Sequence, residues 1–432
     1  MNIRETAETN VKQNQEAQPI YTSEIELTKS NQRNKGILVK KKMHKYDFDT
    51  VHNRKGSGCF KADALQMLFG KDDLLPLWVA DMDFAIAPEI LEAMQQRLNH
   101  PIFGYNLRLS HYYEAILNWV GTRYHWQIKR DWIINTPGIV TAINTAVVTL
   151  TKPGDKILIQ TPVYDPFFEA VRANHRILVT NPLVLKDGRY EIDWEDFAQK
   201  IKQCRMFILC SPHNPVGRVW TEPELLQMGR ICRQNNVIVL ADEIHADLVY
   251  SGHTHVAFAS LEDFGSITVA CYSPSKSFNL AGLCTSAIII SDSELRKKFN
   301  DYIQTMHLFL GNTFGITALQ AAYTKGADWL SALVSYLEEN RDYLYDSLAK
   351  QLPKLHMIKP EGTYLAWVDF RSFQTDDDKL SDRLINQAKL AFNMGKTYGT
   401  EGKGFVRINF ATPRSQLEEA VNRLSKTFSQ DI

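Results

Sequence analysis

The 432-residue chain has no apolar stretch as long as the ~18–20 residues that span a bilayer. Its N-terminus has no apolar core of the secretory type. Charge of one sign is not in excess either. Lys and Arg number 49, as do Asp and Glu, which leaves no global basic field to attract nucleic acid. The six cysteines, Cys59, Cys204, Cys210, Cys232, Cys271 and Cys284, form no C-x-x-C pair. Several fall in apolar runs, where cysteine acts as a small core residue. That argues for a reducing compartment and against a disulfide framework or a zinc site. These absences lead us to expect a cytoplasmic protein that needs neither membrane, nucleic acid nor metal. No internal repeat is present. The 44% hydrophobic content is enough for a large core or two domains.

Residues 1–43 are polar and aperiodic and end in Lys40-Lys41-Lys42, the pattern of a disordered tail. Met43 is a candidate start, with the preceding segment an appended tail. From Ala87 onward helical and strand patterns alternate. Pro88 to Asn99 reads as a helix with Ile90, Leu91, Met94 and Leu98 on one apolar face. The runs Lys156–Gln160, Met206–Leu209, Val237–Leu240, Ile267–Tyr272 and Ala287–Ile290 read as strands, and Glu222–Gln234 as a helix between two of them. This is the α/β pattern of a mostly parallel sheet. A long helical stretch after about Asp328 leads to further strand-like runs, Tyr364–Phe370 and Gly404–Phe410.

Four segments carry chemistry. Lys276, in Ser273-Pro274-Ser275-Lys276-Ser277-Phe278-Asn279, follows the run ending at Tyr272. A lysine at the end of a buried strand must lose its charge or use it, and a Schiff base with pyridoxal phosphate does both. Asp242, in Asp242-Glu243-Ile244-His245, closes another run. Alone it reads as a helix cap, but it can also pair with a protonated pyridine nitrogen. Asn214, between Pro212 and Pro215, is placed to meet a phenolic oxygen, although Asn-Pro also marks ordinary turns. Asn135-Thr136-Pro137-Gly138-Ile139-Val140-Thr141-Ala142 leads into an apolar helical stretch whose free N–H groups at the start suit a phosphate, although small-residue helix starts are common. Asn214, Asp242 and Lys276 all follow strand-like runs, where ligands of parallel sheets sit.

The ordered set resembles the fold-type I pyridoxal-phosphate enzymes, the aminotransferase-like superfamily. With Trp78-Val79-Ala80-Asp81-Met82-Asp83-Phe84 and Ile102-Phe103-Gly104-Tyr105 added, it is similar to the MalY/PatB group of cystathionine β-lyases, from about Tyr46 to the C-terminus. The resemblance implies an α/β fold with a large domain (92–328), and a small domain (329–432) joined by an N-terminal arm (44–91). It implies Lys276 as cofactor anchor and acid/base, Asp242 at the pyridine nitrogen, and Asn214 at the phenolic oxygen. His245 falls where related aminotransferases carry a tyrosine near that oxygen. Tyr164 matches the aromatic that stacks on the ring. The amides of Ile139 and Val140 and the hydroxyl of Ser273 are implied at the phosphate. Tyr105 matches a ligand of the neighbouring subunit's phosphate, which implies a homodimer with shared sites. Arg407 matches the clamp on an amino-acid α-carboxylate.

Two departures bear on the activity. Cys284 stands where aspartate aminotransferases carry a phosphate-binding arginine, and lyases of this group lack that arginine too. Ser57–Asp63 lacks a tryptophan usual before the aspartate. The implied activity is β-elimination from a cysteine thioether. A pyridoxal-phosphate aminotransferase and a non-catalytic cofactor-binding regulatory protein are the alternatives. Ser273-x-x-Lys276 also matches the penicillin-binding S-x-x-K, but no K-T-G follows. Gly395-Lys396-Thr397 lacks the first glycine of a P-loop, with Leu390 in its place. His245, His253 and His255 read as a strand-end loop rather than a metal site.

Overall fold

The computed structural model describes residues 45–429; the tail and the candidate start at Met43 lie outside the described residues. The main sheet has seven strands. In spatial order they are Ile133–Thr136, Ser286–Ile289, Thr268–Tyr272, Ile238–Asp242, Met206–Cys210, Lys156–Thr161 and Ile177–Pro182. The five strands from Thr268–Tyr272 to Ile177–Pro182 pair in parallel, and Ser286–Ile289 runs antiparallel to both of its neighbours. The expected mostly parallel α/β sheet is therefore present. Two of its strands, Ile133–Thr136 and Ile177–Pro182, were not among the expected runs. The second is an edge strand ending in Asn181-Pro182, residues that dilute a strand signal.

Alternation along the strands explains why both faces carry helices. Ile157, Ile159, Met206, Ile208 and Leu240 join an apolar cluster with Ile143, Val147, Phe167 and Phe299. Leu158, Phe207, Leu209 and Val239 point the other way, into a cluster with Phe197, Trp220 and Met228. Helix Glu222–Gln234 begins with a capping box in which the Thr221 and Glu224 side chains satisfy each other's backbone N–H groups.

A second sheet is antiparallel, in the order His356–Ile358, Leu365–Asp369, Phe405–Asn409 and Asn393–Met394. Helix Ala327–Gln351 precedes it. The N-terminal segment joins it directly. The Asn409 backbone amide donates to the Leu77 carbonyl at 2.9 Å and its side chain to the carbonyls of Val79 and Asp81, both at 2.6 Å, while Leu75–Pro76 pairs in parallel with Leu390–Ala391 in a separate two-stranded sheet.

Helix Pro88–Leu98 is present, but only part of its apolar face is covered. Ile90 is fully buried, whereas Leu91 and Leu98 are 47% and 56% exposed. At about 100° per residue, Leu91 and Leu98 lie roughly 80–100° around the helix from Ile90. That is beyond the strip that packs on helix Thr313–Lys325. Among the described residues, no helix is long and apolar enough to cross a membrane.

Candidate active site

The carboxyl ends of the parallel strands open onto a cavity of roughly 300 Å³. Val140, Tyr164, Asn214, Asp242, His245, Lys276 and Arg407 all line it, although more than 260 residues of sequence separate Val140 from Arg407.

Each group is placed by a short local device. Asp242 is the last residue of its strand and is 4% exposed; its Oδ1 accepts from the Ile244 amide at 3.2 Å. Burial pushes its carboxyl up to about 7, against the pull of that amide and of Lys276. Lys276 is not at the strand end itself. It lies on a four-residue helical turn, Pro274–Ser277, that follows the strand. Its Nζ donates to the Ala80 carbonyl at 2.6 Å. Burial, and then the charge of Arg407, bring its amine down to about 8.

Arg407 sits on strand Phe405–Asn409 and is 4% exposed. Its guanidinium donates to Asn214 Oδ1 at 3.2 Å, to the Trp78 carbonyl at 2.9 Å and to Asn393 Oδ1 at 3.4 Å. None of these partners is a carboxylate, and its Nε is buried without a hydrogen bond. Among the described residues no carboxylate lies within ion-pair distance of this buried guanidinium, and only Asp165 on the same wall acts on it from farther off, a costly arrangement unless an anion completes it. His245 is buried with Nδ1 unpartnered, edge-on to the Tyr364 ring at 5.9 Å. Burial, followed by Lys276 and Arg407, holds its imidazole well below its ordinary value. Burial likewise pushes the Tyr164 hydroxyl up to about 12.

Ile139 and Val140 are the first two residues of helix Ile139–Leu150, so their N–H groups point out of the helix end. Gly138 precedes them at φ 112°, a left-handed value open to glycine. Three expected residues stand apart from the cavity wall. Ile139 lies one residue behind Val140. Ser273 caps the Lys276 turn by accepting from the Ser275 amide, and its hydroxyl lies 2.8 Å from the Thr285 carbonyl. Tyr105 is 94% exposed. The three histidines diverge: His245 lines the cavity, His255 is buried 3.7 Å from Glu243, and His253 is exposed. Among the described residues no cluster of His, Cys, Asp and Glu could hold a metal.

Several further residues complete the wall without a role legible in the sequence. The Trp78 ring packs against Phe60 and Phe69 at 5.2 and 5.3 Å, and Phe60 also lines the cavity. Tyr398 lies under the Arg407 guanidinium at 5.1 Å, and Asn393 pairs with Arg407 across two strands. Neither carries a local signal, since only strand register brings them to Arg407. Below Trp78, the fully buried Lys61 donates to Asp83 at 2.7 Å, and Arg54 bridges Asp81 and Asp83 at 2.7 and 2.6 Å.

Comparison with known proteins agrees with this geometry. Residues 72–424 match the family model for class I and II aminotransferases. Cystathionine β-lyase PatB of Bacillus subtilis (strain 168) is 42% identical over 386 residues, covering 89% of this chain and 100% of that one. Protein MalY of Escherichia coli (strain K12) is 36% identical, covering 87% of this chain and 97% of that one. The crystal structure of cystalysin from Treponema denticola, which contains a pyridoxal 5'-phosphate cofactor, matches with a TM-score of 0.87 at 35% identity, over 89% of this chain and 99% of that one. The fold is thus that of the fold-type I pyridoxal-phosphate enzymes. With a lysine, an aspartate and an uncompensated arginine gathered at the strand ends of that fold, the chain belongs to the class I and II aminotransferase family, within its PatB/MalY cystathionine β-lyase group.

Proposed function

We propose that this protein is a pyridoxal-phosphate-dependent carbon–sulfur β-lyase. With one water, it converts cystathionine, cysteine or a cysteine S-conjugate to a thiol, pyruvate and ammonia. The observation that carries the reading is Arg407, a buried guanidinium without a carboxylate, facing the same cavity as Lys276.

The residues fit the cofactor. Asp242 is a buried carboxylate with no cation in hydrogen-bonding contact, which suits a protonated ring nitrogen. The open amides of Ile139 and Val140 at a helix start suit a phosphate. Ser273 would turn its hydroxyl to the same phosphate. Asn214 would face the phenolic oxygen, with His245 close by, and Tyr164 would cover the ring. Bound there, pyridoxal phosphate withdraws electrons from the amino acid's Cα and so labilises its proton.

The protein's own groups then divide the work. Arg407 grips the α-carboxylate with two N–H groups and fixes which Cα bond faces Lys276. Lys276, whose amine burial and Arg407 already shift downward in the empty site, anchors the cofactor, accepts the Cα proton once displaced by substrate and can return a proton to the departing sulfur. Phe60, Trp78 and Ile244 give the cavity apolar wall that would help to exclude water. Among the described residues of the single chain, Lys276, His245 and Arg407 are the basic residues on the wall, so this chain itself offers no second guanidinium to a dicarboxylate side chain. That favours elimination over transamination of acidic amino acids.

In this reading the chain divides into an arm (44–91), a large domain (92–328) and a small domain (329–432), and works in the cytoplasm as a homodimer. Tyr105, exposed in its own chain, would reach the partner's cofactor phosphate. The direct test is release of pyruvate and thiol from cystathionine, cysteine and an S-alkyl cysteine. Stoichiometric exchange of amino groups between an amino acid and a keto acid, without pyruvate from any thioether, would make the aminotransferase alternative correct. Cofactor binding with no turnover at all would favour a regulatory role.

A further inference from the structure

We propose that Asp247 is a positioning residue for this chemistry. Through Ser277 it holds the turn that carries Lys276 in register with the segment that carries Asp242 and His245. The proposal rests on the lyase reading only for the part Lys276 plays.

Asp247 lies five residues beyond Asp242 and is 6% exposed. Its Oδ2 accepts from Ser277 Oγ at 2.8 Å. Its Oδ1 accepts from the Tyr124 hydroxyl at 2.7 Å and from Arg123 Nε at 3.0 Å. A buried carboxylate is tolerated when it is met by donors of this kind. Here the donors come from two elements: the end of helix Ser110–Arg123, and the residue after Lys276.

The turn Pro274–Ser277 has four residues, too few to define its own orientation. External bonds must therefore set it. Asn279 exchanges hydrogen bonds with the Met82 backbone and donates to the Phe84 carbonyl, each at 3.0 Å, and ties the turn to the N-terminal segment. The Ser277–Asp247 bond ties it instead to the strand-end segment of Asp242. Ser277 is 1% exposed, so water cannot readily replace that bond. The consequence is geometric. The Lys276 amine must serve both the cofactor and the substrate Cα, and a shift of about 1 Å can cost on the order of 100-fold in rate. The charged groups that face this amine are Arg407, Asp81 and Asp242, and Asp247 acts on none of them directly.

The test uses Ser277→Ala, Asp247→Asn and the double variant. The expected result is a fall of about tenfold in kcat per bound cofactor for each single variant, with KM within about twofold of the parent. The double variant should be no slower than Asp247→Asn alone, because both residues act through one bond. A second readout needs no turnover. In cofactor-free protein, acylation of Lys276, followed by peptide mass spectrometry, should have a midpoint near pH 8. In Ser277→Ala that midpoint should rise, because a loosened turn exposes the amine to water. An unchanged kcat and midpoint in Ser277→Ala would overturn the proposal, as would single losses that simply add. If Asp247→Asn does not fold, Ser277→Ala alone decides. If the parent cleaves no thioether, the lyase reading fails, and the acylation midpoint still decides the role of Asp247.

Discussion

Arg407 and Asn214 lie 193 residues apart in sequence, yet the guanidinium of one donates to the side-chain oxygen of the other at 3.2 Å, inside a cavity that both line. The contact joins the antiparallel C-terminal sheet to the loop that leaves strand Met206–Cys210. It aims a buried cation at the place where Lys276 and Asp242 also converge.

Arg407→Ala should therefore weaken amino-acid binding and leave cofactor absorbance intact. Loss of a two-point, charge-assisted clamp is expected to cost on the order of 2–4 kcal/mol in kcat/KM. Steady-state kinetics on a cysteine thioether checks this. An unchanged kcat/KM would assign the carboxylate to another residue.

Lys276 should carry the cofactor covalently. Borohydride reduction of the loaded protein, followed by peptide mapping, should place the label on Lys276, and Lys276→Ala should abolish both label and turnover. Label on a different lysine would remove the central assignment.

Asp242 gives a pH-dependent prediction. Its native value of about 7 lies above the ordinary ~3.9 of an unfolded aspartate. The folded, cofactor-free chain therefore holds a proton that the unfolded chain has lost, and stability falls as pH rises from about 4 through about 7. Asp242→Asn removes that buried charge. The cofactor-free variant should exceed the parent by roughly 1–3 kcal/mol at pH 8, with the gap narrowing below about pH 7 and closed by about pH 4. Urea denaturation at both pH values measures this. The same change should lower turnover on the order of 100-fold, because a cationic ring nitrogen loses its partner.

Tyr105 tests the assembly. With 94% of its surface open in the single chain, it has no visible task there. Mixing Tyr105→Ala with Lys276→Ala subunits should restore activity above either impaired parent. If each site borrows Tyr105 from its partner, one site of a mixed dimer would carry both lesions and the other neither. No recovery after proven subunit exchange would place Tyr105 outside the partner's site.

The sequence alone determined the α/β alternation, the strands that end at or just before Asn214, Asp242 and Lys276, and the helix start at Ile139. Each is local: a short apolar run and the polar residue that ends it, or a glycine before an apolar helix. It also carried the ordered motifs of the family. Tertiary structure decided what depends on register between distant segments. Nothing near Asn393 or Tyr398 marks them as neighbours of Arg407, since that contact exists only once strands Asn393–Met394 and Phe405–Asn409 pair. Arg407 could equally have been an exposed strand arginine; its burial comes from Trp78 and Asn214, supplied by other parts of the chain. No local pattern marks Asp247; the fold brings Ser277, Tyr124 and Arg123 around it. Local patterning fixes what a residue's own neighbours can satisfy. The partners of a buried charge come from wherever the chain returns, and only the closed fold selects them.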